Sequence, residues 1–337
     1  ARLWLVGDEK QHKIPSRGSP FELLQKDAGI TPARVAKILR QRGAYKKAVL
    51  LARDKPGEAL ERLEAMGWVR EVKDIGRYGV LAADYLEAVK PFGKNGRGRQ
   101  PTALVIAPTN AEGAKVQAAI RQGLKAKGTL GEEREFLQLA NRHLTEAERR
   151  DGHSYLPGDV LQFTQNAKGH RRGQRLTVDD GQAVPAALAE RFQVYRPGVL
   201  RFAAGDRLRL TASGVTKDFH RLNNGELLTV AGFTNAGDVV DHRGWVLPKD
   251  WGHWQLGYVT TSVSAQSQTV DRVLIAMGAE SLPAINREQM YVSLSRGREW
   301  ARVYTGDAKA LIQGVQKSEV RISATELARL RDKQRKH

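Results

Sequence analysis

Between Asp151 and Pro248 the sequence leaves the rhythm it keeps on either side, and that change constrains the fold more than any other feature. Short alternating runs (DVLQF, QRLTV, RFQVY, DRLRLTA, ELLTVAGF, DVVDHRGWVLP) follow one another, separated by Gly, Asn and Asp. Alternation with a period of two buries one face of a strand and wets the other, so these runs predict an antiparallel β unit closing into a small barrel. Upstream, ALVIAPTN (Ala103 to Asn110) is an unbroken apolar run ending in a polar turn. It predicts a strand buried on both faces, then a helix to about Ile120. Residues from about Thr31 to Val72 show helical spacing, with Thr31-Pro32 as N-cap and first turn and Leu60, Leu63 and Met66 recurring before Gly67. Arg2 to Val6 reads as a strand. Downstream, GYVTT, TVDRVLIAM and ARVYTG predict strands, and SVSAQS and NREQMYVSLS predict helices. The whole predicts an α/β fold, a parallel-sheet domain interrupted by a β insertion. A length of 337 residues agrees, because one hydrophobic core seldom serves so many.

Charge narrows the partner. Lysine and arginine number 55 against 37 acids, a net charge of +18. That surplus favours a polyanion, nucleic acid before membrane; the alternative is a solvated, merely soluble surface. Basic residues cluster in GKNGRGRQ (Gly93 to Gln100) and KGHRRGQR (Lys168 to Arg175), without interleaved aromatics that would make a base-stacking platform. No apolar run approaches the roughly 18 residues of a membrane span. The opening ARLWLVGDEK does not read as a signal peptide. Cysteine is absent, which excludes disulfides and thiolate metal sites and fits a reducing, cytoplasmic setting. His12, His170, His220 and His242 are scattered without metal-ligand spacing, so no metal site is expected. Asp8, Glu9 and Asp271 suggest no paired general acid and base.

The chemistry-bearing strings are phosphate-related. YVSLSRGR (Tyr291 to Arg298) puts two arginines where a helix hands over to a strand. An arginine in such a turn can reach a phosphate across a cleft. Yet the glycine-rich cradle G-x-x-x-x-G-K-[ST] does not occur, and the pair Gly93-Lys94 lacks its spacing. The chain alone is therefore not expected to hold ATP tightly or hydrolyse it. Other pieces stand in order: LVGDEKQ with Gly7, Asp8 and Gln11; ILRQRGAY with Arg40; VIAPTNAE with Thr109 and Asn110; and YVTTSVSAQSQT with Thr261, Ser262, Gln266 and Ser267.

In this order the strings resemble the C-terminal part of the RecD-like superfamily 1 helicase module of MobF-type (TrwC/TraI-like) conjugative relaxases, over nearly the whole chain. The resemblance implies a P-loop NTPase-type motor. Residues 1–30 would carry the last strand and exit of a first RecA-like domain. Residues 31–150 and 249–316 would form the second, 151–248 an inserted SH3-like barrel, and 317–337 a basic tail. It implies that Gln11 senses the γ-phosphate, that Arg40 and Arg296 stabilise the transferring phosphoryl group, and that Gly7, Asp8, Gln266 and Ser267 lie at the ATP interface. Thr109, Asn110, Thr261 and Ser262 would touch single-stranded DNA. ATP and Mg²⁺ would serve the intact enzyme, a hydrolase and 5′-to-3′ DNA helicase of conjugation. The first motor domain would lie upstream, this chain being a fragment.

Each residue also has a plain structural alternative. Gly7-Asp8 can be a strand-end turn, Arg40 a helix-end cation, and Arg296 a partner of Glu299, with Arg298 a surface cation. Thr109 can simply cap the following helix. Two departures weaken the pattern: Val263 stands where the family has histidine, and Ser267 where it has glycine. These favour the alternative of a vestigial helicase-like module that binds single-stranded DNA without motor activity.

Overall fold

The computed structural model describes residues 4, 6–8, 11, 24, 25, 28–33, 38–91, 99–179, 184–266 and 268–318. Ser267, His12, most of the basic loop at 92–98 and the tail beyond 318 lie outside the described residues. The chain divides into two compact units, one of Ala1–Leu124 with Tyr258–His337, the other of Lys125–Gly257.

Among the described residues, the first unit carries α1 (Gly43–Ala52) and α2 (Pro56–Ala65), then β1 (Val69–Glu71), α3 (Asp74–Ala88), β2 (Ala103–Ile106) and α4 (Asn110–Ala126). Among the described residues, the helical pattern expected from 31 to 72 is two helices and a strand. Residues 31–33 are not helical, and Pro56 starts α2, where its missing N–H costs nothing. Gly67, at φ 70°, ends that helix in a conformation that penalises other residues. Trp4 and Val6, within the expected opening strand, are exposed and pair with no described strand.

The second unit holds β3 (Glu133–Asn141), α5 (Glu146–Arg150), β4 (Val160–Phe163), β5 (Arg175–Thr177), β6 (Phe192–Ala203), β7 (Arg207–Leu210), β8 (Gly214–Val215), β9 (Arg221–Leu222), β10 (Leu227–Phe233), β11 (Val239–Asp241), β12 (Val246–Leu247) and β13 (Trp254–Leu256). Its five-stranded sheet runs β12-β11-β10-β7-β13, and its four-stranded sheet β3-β6-β4-β5, with β8-β9 as a separate ribbon. All pairings are antiparallel. The unit is wider than 151–248 at both ends. β3 falls before Asp151 yet pairs with β6 along nine residues, and β13 after Pro248 pairs with β7. Phe136 and Phe202 stack at 4.2 Å, and Trp254 sets its edge against both while its indole donates to the Leu137 carbonyl at 2.9 Å. One buried tryptophan therefore ties the two sheets into one core with Leu208, Leu228 and Val239.

Returning to the first unit, β14 (Val259–Thr260), α6 (Ser262–Ala265), β15 (Val270–Met277), α7 (Arg287–Leu294), β16 (Gly297–Thr305) and α8 (Ala308–Gly314) complete a parallel sheet in the order β1-β16-β15-β2-β14. In β15 the run Val273 to Met277 is fully buried, as a central parallel strand covered on both faces requires. At about 25 cal/mol per Å² the side chains of Val273, Leu274, Ile275 and Met277 each contribute roughly 1.5–3 kcal/mol. No described helix is long and apolar enough to cross a membrane.

Candidate functional site

All five strands of the parallel sheet point the same way, so its two ends are chemically distinct. The sequence-predicted residues sort between them. At the N-terminal end, α7 is buried along its length from Glu288 to Leu294 and hands over to β16 through Ser295 and Arg296. The helix starts under an Asn286 cap that accepts from the Gln289 N–H at 2.8 Å. Its last carbonyls, left without helical partners, are taken up by side chains. Tyr45 donates to Leu294 O at 2.5 Å, and Gln41 reaches Ser295 O at 3.0 Å and Gly297 O at 2.5 Å. Arg40 also donates to Ser295 O. The segment before α1 is thus fastened to the arginine turn. The glycine of S-R-G-R is required by close approach: a Cβ there would lie 2.7 Å from both Trp300 O and the Tyr45 hydroxyl.

Arg296 is only 4% exposed. Its Nε donates to Val292 O at 3.0 Å, its Nη2 to Ser295 Oγ at 2.7 Å, and its Nη1 lies 3.5 Å from Gln268 O. The guanidinium is thus held by its own segment and by the Gln268 carbonyl. Glu299 is not its partner, because that carboxylate meets Arg272 at 3.1 Å. Arg298 faces Asp271 at 3.6 Å from an exposed position. Burial, and then the neighbouring Arg40, bring the Arg296 pKa down to about 10, and burial lowers that of Arg40 as well. Among the described residues neither guanidinium has a carboxylate at ion-pair distance. Asp8 is the nearby acid. It accepts from Gln11 at 3.1 Å and lies 3.5 Å from the Tyr291 hydroxyl, whose pKa is raised by burial and by that carboxylate. Gln266 in turn donates to Gln11 at 3.1 Å. Asp8, Gln11, Gln266, Arg40 and Arg296 therefore form one neighbourhood, although up to 288 residues separate them (296 − 8). Gly7 beside them is exposed. Gln41, Tyr45 and Tyr291 were missed from sequence; an isolated buried glutamine in a loop leaves no periodic signal.

The C-terminal end of the sheet carries the other group. β2 and β14 are adjacent, and Ala107 N–H donates to Thr260 O at 3.0 Å, so the loops of Thr109 and Thr261 leave neighbouring strands. Thr109 Oγ1 accepts from the Glu112 N–H at 3.2 Å and lies 3.2 Å from Ser281 Oγ, so it does cap α4. Asn110 is exposed. Thr261, half-buried, caps α6 by accepting from Ser264 N at 3.3 Å. Ser262 departs from expectation: it is 1% exposed, because α6 packs against α7, and its hydroxyl is not offered at the surface. Val263 next to it is exposed. A groove of about 530 Å³ lined by Lys47, Leu50, Leu51, Asp54, Lys55 and Arg62 contains none of these residues.

A family model described as an AAA domain matches residues 1–74. No curated protein matches the chain. Among solved structures, the chain is similar to Bacteroides Pif1 bound to ssDNA at 14% identity and a TM-score of 0.40, covering 89% of this chain and 55% of that one. Pif1 helicase from Candida albicans follows at 14% identity and a TM-score of 0.38, covering 89% and 60%. The chain thus spans a little over half the length of these structures. At such scores the likeness assigns neither fold nor activity.

Proposed function

We propose that this chain is the second lobe of an ATP-dependent 5′-to-3′ DNA helicase or translocase of relaxase type, working in the cytoplasm with an upstream lobe that carries the phosphate-binding loop. One observation carries the reading: two guanidiniums, Arg40 and Arg296, crowd together half-buried or buried with no carboxylate at ion-pair distance among the described residues. Two such charges repel each other, and a bound polyanion would turn that repulsion into attraction. A triphosphate fits this donor set, with Gln11 and Gln266 supplying neutral amides beside it. Magnesium would need oxygen ligands, and Asp8 is a carboxylate present at the niche. ATP with Mg²⁺ would supply the phosphoryl group whose transfer releases energy. For this chain's part, Arg296 would exchange its hold on Val292 O and Ser295 Oγ for phosphate oxygens. Thr109, Asn110 and Thr261, on adjacent strand ends, would hold the single-stranded DNA backbone. The five-stranded sheet of the second unit is the SH3-like element of this reading.

The test is DNA-stimulated ATP turnover in a protein joining this chain to an upstream ATP-binding lobe. Arg296→Ala should lower turnover roughly 10³-fold or more while leaving single-strand affinity intact. Unchanged turnover would favour the second reading, a vestigial module that binds DNA without a motor. The burial and self-satisfied bonding of Arg296 favour that second reading.

A further inference from the structure

From Val160 to Val178 the second unit carries Lys168, Arg171, Arg172 and Arg175 and no acid. The hairpin between β4 and β5 presents three of them. Ala167 and His170 exchange backbone hydrogen bonds at 2.9 and 3.0 Å, leaving Lys168-Gly169 as a two-residue turn. Gly169, at φ 77°, supplies the left-handed conformation that turn needs. Arg171 and Arg172 follow, their backbone N–H groups fixed by Gln174 Oε1 at 3.1 Å and Asn166 Oδ1 at 2.9 Å. The His170 ring stacks on Phe163 at 4.3 Å and anchors the tip to the core. Arg175 is tied down by the Asp250 and Trp251 carbonyls at 2.7 and 2.6 Å. Lys168, Arg171 and Arg172 are exposed, and among the described residues none of them has an ion-pair partner.

Three surface arginines elsewhere in this unit are instead paired with carboxylates. Arg150 meets Glu190 at 3.1 Å, Arg201 meets Glu135 at 2.6 Å, and Arg243 meets Glu226 at 2.6 Å. A loop that served solubility alone would need neither the pinned backbone nor the exclusion of acids. An ordered tip instead lowers the entropy lost when its cations take hold of a ligand. The ligand chemistry is phosphate in a regular array. Single-strand binders add exposed rings on which bases stack, and the one ring at this tip is already stacked inward on Phe163. Duplex DNA hides its bases and offers about one charge per 1.7 Å of axis.

We propose that the β4–β5 hairpin grips the phosphate backbone of duplex DNA, through Lys168, Arg171 and Arg172. This rests on the reading that nucleic acid is the partner, and it adds a contact separate from the strand-end loops that would hold the single strand. The test uses the 337-residue chain. Binding to a random-sequence duplex and to oligo-dT is followed across a salt series, with and without Lys168→Ser, Arg171→Ser and Arg172→Ser together. The triple variant should lose duplex affinity at least about tenfold at low salt, and its slope of log K against log[salt] should flatten by roughly 2 to 3. Oligo-dT affinity should move less than about twofold on the same reasoning. A paired variant, Arg171→Lys with Arg172→Lys, keeps the charge and should keep the slope. Unchanged duplex binding in the triple variant, an equal loss on both nucleic acids, or no duplex binding by the unaltered chain would each overturn the proposal. The nucleotide niche is read independently through Arg296→Ala turnover, so either idea can fail alone.

Discussion

Gly297 shows how one absent side chain can set the position of a charged neighbour. Its Cα lies where a methyl group would meet the Trp300 carbonyl and the Tyr45 hydroxyl at 2.7 Å each, closer than packed atoms approach. Tyr45 is buried and its hydroxyl is already committed to Leu294 O. Burial first of all raises its pKa, so it stays a neutral donor at ordinary pH. Gly297→Ala should therefore push Tyr45 off Leu294 O or shift the start of β16, at a cost of roughly 1–3 kcal/mol. Chemical denaturation measures that cost, and a variant as stable as the parent would mean that the turn yields more easily than its packing suggests. The same substitution should displace Arg296, whose Nε is bonded one turn back at Val292 O. A lysine at 296 would not replace it, because an ammonium lacks the planar fork that reaches Val292 O and Ser295 Oγ together.

At the scale of elements, α3, α4 and the end of β15 meet around Glu112. That carboxylate is fully buried; it accepts from the Gly278 N–H at 2.8 Å and from Ser281 Oγ, and it faces Arg77 at 3.9 Å. Through Ser281 and its own N–H it also holds Thr109 in place. Glu112→Ala takes away the carboxylate facing a buried guanidinium and should destabilise the chain by about 3–5 kcal/mol. A urea midpoint displaced by far less would show that Arg77 finds other compensation. The sequence says little of this. A glutamate three residues into a helix reads as a solvated first-turn acid, and only the packing of three elements makes it a buried one. Legibility follows locality throughout. β2, β15, the α7–β16 turn and the short strands of the insertion were readable because periodicity and turn residues act within a few positions. β3 was misjudged as part of the α/β domain because its partner, β6, lies some sixty residues on. The neighbourhood of Asp8, Gln11, Gln266 and Arg296 came from the order of motifs. The pinning by Gln41 and Tyr45, the burial of Ser262 and the self-bonding of Arg296 were not readable, since burial depends on contacts that no local pattern encodes.

For the molecule as a whole, two units with separate cores imply two unfolding steps. The first unit centres on Ile106, Ile275, Met290 and Val303, and the second on Phe202, Leu228, Val239 and Trp254. Cores that share no side chains need not melt together. Acid should separate the two transitions, because the second unit buries a neutral histidine. His253 is fully buried, with Nε2 2.7 Å from Gln162 Oε1 and Nδ1 without a partner among the described residues. Burial, with some help from Arg175, lowers its pKa from 6.5 to about 4. The folded pKa lies below the unfolded one, so between them the unfolded chain binds the extra proton. The stability is complete above about pH 6.5 and drains away as pH falls toward about 4, at up to about 1.4 kcal/mol per unit and roughly 3 kcal/mol in all. Calorimetry at pH 7, 6, 5 and 4.5 should show one transition moving to lower temperature over this range. His253→Phe should flatten that movement while lowering the same transition at pH 7, since it gives up the bond to Gln162. A single transition insensitive to pH over this span would contradict both the separation of the units and the buried neutral state of His253.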